Sequence, residues 1–390
     1  MSRKLQRTPW LAASLACLLA ATLIGHHPHG APQALAEGGE EAPPRLAAEQ
    51  LDPSKPIAQA ELLIELPEKY NTPDALCLMA NGDVIVSVPN VNDRRFPPVL
   101  LRIRPDNTYE EFYQFLPHPE TGEAAYPFGV ATDPEGDLYV ADLQWFANPE
   151  EPGHNARVLW IPMEDGKPGE ATSIIEGLVT ANAVLIRDGY VYVSDTIMKP
   201  GTDPLISGVF RFPLEEAQRE TIRVTQPLED DPHCIGTIET HNVDVGFGAD
   251  GLAMDGEGNL YIGNFADGTV HRIEFQADGT PHPATVFARA PFMKSCDGLF
   301  LDPERGVIFA ADMMGNAIRL VFLDGTVRTL AQDPASDGSG GRLSAPSEAL
   351  VRGDEVIVCN FDMVIPGGVN EEFGPPHTIS VIKLPESLRD

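Results

Sequence analysis

Residues 249–264 read ADGLAMDGEGNLYIGN, and the fold can be argued from this stretch alone. A small apolar run at 251–254 reaches a polar turn of the Asp-x-x-Gly kind, and the chain returns as the alternating β-branched and aromatic run 259–263, the pattern of an antiparallel hairpin. A third run at 269–275, the turn ADGT at 277–280 and a fourth run at 284–288 complete a unit of four short strands. Such a sheet cannot bury both faces by itself, so it must pack against copies of itself.

The copies are present. Aligned on the residue before the small apolar step, they begin at Asp74, Phe128, Asn182, Asp250, Asp297 and Glu348, at intervals of about 47 to 68 residues. That count and period predict an all-β fold, a six-bladed β-propeller of four-stranded antiparallel blades around a central channel. No segment keeps a helical period, apart from a short turn expected at 214–219. The runs ELLIEL at 61–66 and TISVIKL at 378–384 lie at opposite ends of the repeats, and closing the ring requires them to share one sheet.

Before the repeats, Arg3, Lys4 and Arg7 precede an apolar stretch at 10–25 and the tripeptide Ala34-Leu35-Ala36, which predicts a signal peptide over 1–36 and an exported protein, periplasmic or secreted, cleaved near Ala36. An uncleaved anchor is the alternative for the same stretch. Residues 37–56 read as a flexible linker rich in Gly, Pro, Ala and Glu, and 57–390 as the propeller. The formal charge is −31, and losing three cations with the leader makes it about −34, with no basic stretch. Nucleic acid and anionic membrane, beyond any contact of the leader, are therefore excluded as partners, and a monomer is expected. Four cysteines remain, without zinc-ligand spacing, and Cys234 and Cys296 are candidates for a disulfide.

In a propeller the innermost strands start at one mouth of the channel, so the six aligned residues should converge there. Asp74, Asn182, Asp250, Asp297 and Glu348 offer side-chain oxygens, and carboxylates gathered near one axis need a countercharge. A hard divalent cation suits them, Ca²⁺ before Mg²⁺ or Mn²⁺ because it tolerates irregular oxygen shells. Capping of turns is the alternative role for the same acids. A second set, Asp133, Asp255 and Asp302 at hairpin turns and Asp142, Asp195, Asn264, Asp312 and Asn360 after second strands, recurs in blade after blade and is read as structural.

The unit, the blade count and these inner-strand residues resemble the senescence marker protein and gluconolactonase family of calcium-dependent propellers, related more distantly to diisopropyl fluorophosphatase and paraoxonase. The resemblance covers roughly residues 57–384. It implies a metal held by a Glu in the first blade, Asn in the second and third and Asp in the fourth. Asn182 in TANAV resembles the third-blade Asn, and Asp250 in ADGL the fourth-blade Asp. Asp74 stands at the Glu position and Phe128, in YPFG, at the second Asn position. Asp297 and Glu348 occupy the equivalent steps of blades five and six and would supply the missing oxygens.

The resemblance further implies that the metal polarises a lactone or ester carbonyl and activates a water, with Asp250 or Asp297 as the base. The segments after each second strand, at 89–98, 142–155, 197–208 and 362–377, should gather on one face. They would bring Trp145, Phe146, Met198, Met363 and Phe373 over the metal, and a long insertion at 230–248 would add His241 and His233 as a lid. Two functions follow: an exported, metal-dependent lactonase or esterase acting on a small-molecule lactone or ester, or a non-catalytic propeller binding a small ligand or partner protein at the same mouth. Phe128 favours the second. A redox propeller is disfavoured, since no Cys-x-x-Cys-His is present and the chain has only three tryptophans.

Overall fold

A computed structural model describes residues 52–389 of the chain. The leader and most of the expected linker therefore lie outside the described residues. Six blades of four antiparallel strands, the second extended by a fifth, parallel strand, follow one another in sequence, each innermost strand beginning a new unit: Leu76–Leu78, Pro127–Thr132, Ala181–Arg187, Ala249–Met254, Leu299–Asp302 and Pro346–Arg352. This is the six-bladed β-propeller.

Alternation explains why blades stack. In the cluster between blades six and one, Leu350, Ile357, Ile379 and Ile64 from one sheet interdigitate with Val84, Val86 and Leu101 from the next, all buried. Each such side chain transfers on the order of 1.5–3 kcal/mol worth of apolar surface out of water. The short helix Leu214–Arg219 is formed as expected.

The ring closes as the terminal runs require. Ala60–Leu66 pairs antiparallel with His377–Lys383, Glu61 opposite Val381 and Leu66 opposite His377, so the first strand of the chain is the outermost strand of blade six. The fold begins earlier than residue 57, however. Thr329 donates its N–H to the Pro53 carbonyl (2.9 Å), and Ile57 and Ala58 donate to Leu330, laying residues 53–58 along the outer strand of blade five.

Blade three departs from the expected layout. Residues 197–208 are not a loop: Tyr190–Lys199 and Leu205–Pro213 continue the second and third strands as one long hairpin. After it the chain makes an excursion, adding Ile222–Arg223 parallel to the outer strand of blade two, before returning as Cys234–Thr240, the outer strand of blade three. The expected disulfide is absent because Cys234 lies on this outermost strand, whereas Cys296 is buried just before the innermost strand of blade five; both are free thiols.

Candidate functional site

The six aligned residues do meet at the axis, and close packing sets how near they come. At Gly251 an added Cβ would lie 2.5 Å from the Asp297 carbonyl oxygen, and at Gly298 2.6 Å from that of Ser347, distances that only glycine permits. Neighbouring inner strands therefore touch through backbone, which brings the residues just before these glycines, Asp250 and Asp297, side by side.

In four of the six blades the segment leading to the axial residue is held by the polar side chain after that blade's second strand. Asp312 accepts from the backbone N–H of Ser295 (2.9 Å) and Lys294, just ahead of Asp297, and Asp195 from those of Val179 and Thr180, just ahead of Asn182. Asp142 does the same for Tyr126, and the Asn360 amide oxygen for Ser344. Asp312 is in turn held by the fully buried Arg319 guanidinium, and Asp142 by Arg157. Asp133 and Asp255 instead bind their own turn N–H groups and the hydroxyls of Tyr139 and Tyr261. The second set of acids is structural, as expected.

The first set forms the floor of a cavity. Asp74, Asn182, Asp250 and Asp297 line both a cavity above, open to the mouth, and a narrower one below, along the channel. Asn182 Nδ2 donates to Asp250 Oδ2 at 2.9 Å, and the carboxyls of Asp250 and Asp297 hydrogen-bond each other. Burial, then the nearby charges of Asp250 and Asp74, hold Asp297 well above the usual carboxylate range, and burial also raises Asp250, which Asp297 and Asn182 partly stabilise as the anion. Burial, Glu348 and Asp250 raise Asp74. Glu348 does not reach the upper cavity: it lines the lower one, accepts from the Leu76 N–H at 2.8 Å, and is pushed by burial up to about 8.

No lysine, arginine or histidine lines either cavity. Among the described residues no three acids, histidines or cysteines converge as a metal cage by themselves. The group in mutual contact is two acids and an amide, Asp250, Asp297 and Asn182, with Asp74 beside it and Glu348 below. These side-chain oxygens, buried and with no organic cation beside them, fit a hard divalent cation in kind, one whose charge would displace their protons.

Above this floor the walls are apolar. Gln144, in the left-handed region at φ 56°, turns the chain into a single 3-10 turn that sends Trp145 and Phe146 inward, and Arg94 from the 89–98 loop braces Phe146 by donating to its carbonyl (2.8 Å). Asp362, at φ 57°, similarly redirects the chain so that Met363 and Ile365 reach the cavity. Phe128 lies in this wall, its ring stacked on Phe146 (centroids 5.6 Å apart) and tilted against Phe361 (5.8 Å).

Trp145, Phe146 and Met363 line the cavity as expected, but Met198, Phe373 and His241 do not. Met198 is buried in the core beneath the long blade-three hairpin, packed at Gly208. Phe373 is 56 % exposed over a separate groove, and His241 faces solvent, tied by its N–H to Asp267. His233 stacks on Phe212, away from the mouth. The 241–248 segment does reach the cavity, through Phe247, and Phe265, Met313 and Phe361, each just past the second strand of its blade, complete the wall. That recurrent position was the available signal, since it follows the strand-end acids already visible in the repeat.

Compared by sequence, the chain matches no family profile and no curated protein. Compared by structure, it is similar to a gluconolactonase from Xanthomonas campestris (17 % identity, 84 % of this chain and 90 % of that one, TM-score 0.53). It is also similar to a luciferin-regenerating enzyme (11 %, 84 % and 96 %, TM-score 0.54) and to an aldose sugar dehydrogenase from Streptomyces coelicolor in its PQQ-bound form (15 %, 85 % and 99 %, TM-score 0.51). These likenesses define the architecture, a six-bladed propeller of the kind on which gluconolactonases and sugar dehydrogenases are built. At such identities it is the fold that is shared, and this superfold hosts several chemistries.

Proposed function

We propose that the protein is an exported, metal-dependent hydrolase of the gluconolactonase type, acting on a lactone or ester at the channel mouth. The observation that carries the reading is the floor itself: buried carboxyls sharing protons, with no cation lining the cavities, beneath a pocket open at one end. Asn182, Asp250 and Asp297 would hold the ion, Ca²⁺, with Asp74 completing the group and Glu348 supporting it from below. A bound divalent cation supplies Lewis acidity toward a carbonyl oxygen and lowers the pKa of a bound water. Asp250 or Asp297 would be the base that takes a proton from the attacking water, and the carboxyl so formed would return it to the leaving alkoxide. Asn182 fixes Asp250 by its hydrogen bond, and the aromatic wall keeps bulk water from the reacting carbonyl.

A second reading, a propeller that binds a small ligand without turnover, is favoured by Phe128, which fills an axial position with hydrocarbon. A panel of lactones and aryl esters assayed with and without calcium separates the two. Hydrolysis that falls at least a hundredfold in Asp250→Asn, while Asp133→Asn retains it, supports the hydrolase; no calcium-dependent turnover on any member leaves the binding propeller.

A further inference from the structure

The cavity above the acid floor is tight, with about 50 Å³ open to the centre of a water-sized sphere. Its chemistry is one-sided. The wall is built from Phe128, Trp145, Phe146, Phe247, Phe361 and Met363, with further aliphatic and aromatic neighbours. Two hydroxyls face it, and both are already committed: Thr180 Oγ1 donates to Asp195 Oδ1 (2.7 Å) and accepts from the Ile197 N–H, and Thr196 Oγ1 donates to the Ala249 carbonyl (2.7 Å). The indole N–H of Trp145 apart, a ligand finds its polar partners only on the floor.

We infer that this mouth selects an apolar lactone or ester, an alkyl- or aryl-substituted ring or acyl group of low polarity, and not a polyhydroxylated sugar lactone. As a statement about substrate it rests on the hydrolase reading above; as a statement about which molecules occupy the cavity it stands apart from it. The floor can receive one carbonyl group, and everything else the ligand carries must lie against carbon and sulfur. A sugar lactone brings several hydroxyls that would lose water and gain no partner. One extra hydroxyl in an apolar pocket already costs about a hundredfold in selectivity. Each added methylene on an alkyl chain, by contrast, gains roughly fourfold while it stays within the wall.

The test compares glucono-δ-lactone, δ-valerolactone, δ-nonalactone and phenyl acetate as substrates of the purified protein in calcium. Calorimetry with 4-pentylcyclohexanone, a carbonyl analogue that cannot be hydrolysed, and with glucose as the polar control reads occupancy without turnover. The expected result is a kcat/KM for δ-nonalactone at least a hundredfold above that for glucono-δ-lactone, and binding of the ketone but not of glucose. Met363→Gln, a change at a half-buried loop residue, should weaken the ketone about tenfold and raise KM for δ-nonalactone in parallel. Turnover of glucono-δ-lactone equal to or better than that of δ-nonalactone would overturn the inference and leave the hydrolase standing. Absence of all turnover, with the ketone still bound and still sensitive to Met363→Gln, would retire the hydrolase and leave the apolar ligand class standing. No binding of the ketone and no preference for the alkyl lactone would overturn the inference outright.

Discussion

Glu348 illustrates what the axial residues cost the fold when no cation is present. Its carboxyl, at about 8 in the folded protein against an ordinary 4.5, binds a proton that the unfolded chain has lost at neutral pH, and Asp74, Asp250 and Asp297 are shifted in the same direction, chiefly by burial. Because the folded state holds more protons, the stability associated with Glu348 is fully present below about pH 4.5 and is lost as pH rises through about 8, on the order of a few kcal/mol across that window. In EDTA, calorimetric melts should therefore fall steadily between pH 5 and 8, and Glu348→Gln should flatten part of that slope; melts that rise over the window would contradict the protonation assignment. That these residues meet was legible in the repeat, because one alignment fixes all six at equivalent steps. The side of the floor that each occupies was not. Glu348 turns downward to take the Leu76 N–H, a contact between blades six and one that no local pattern in either segment announces.

At the level of strands and loops, the account depends on the seam between the ends of the chain. Ala60–Leu66 supplies the outer edge of blade six and buries Ile64 and Leu66 against blade one. A chain that starts at residue 67 should melt at least about 10 °C below one that starts at residue 52, since it loses a paired strand and exposes an edge; equal melting temperatures would show that the seam is dispensable. The seam could be read from the sequence because two orphan β runs were left over once six hairpins had been assigned. Blade three could not. Pro200, Gly201 and Pro204 make 197–208 read as a loop, yet the second and third strands run on to Lys199 and from Leu205, so that these residues are only the tip of one long hairpin. The excursion to Ile222–Arg223 is a parallel pairing with a different blade, which alternation within one segment cannot reveal. Hence Met198 was expected at the mouth and lies in the core, and a stretch expected to be a lid contains the outer strand Cys234–Thr240. Loops that follow second strands without such extension, at Trp145, Phe146 and Met363, were placed where the repeat put them.

On the scale of the whole molecule, six similar units leave one asymmetric site, because a ring converts a repeated position into a cluster of unlike side chains. The fold is similar to that of a gluconolactonase and of a sugar dehydrogenase, so the chemistry has to be argued from the axis: an acidic floor and a hydrocarbon wall in which Phe128 is seated. On the proposed reading, a hard divalent cation completes this floor. That reading is tested most directly by elemental analysis of the purified protein together with thermal melts in EDTA and in millimolar calcium. The account predicts one divalent ion per chain and a melting temperature several degrees higher in calcium, as expected for a ligand that adds about 2.7 kcal/mol at a hundred times its Kd, with the rise lost in Asp250→Ala. No bound metal, and identical melts in EDTA and calcium, would contradict it.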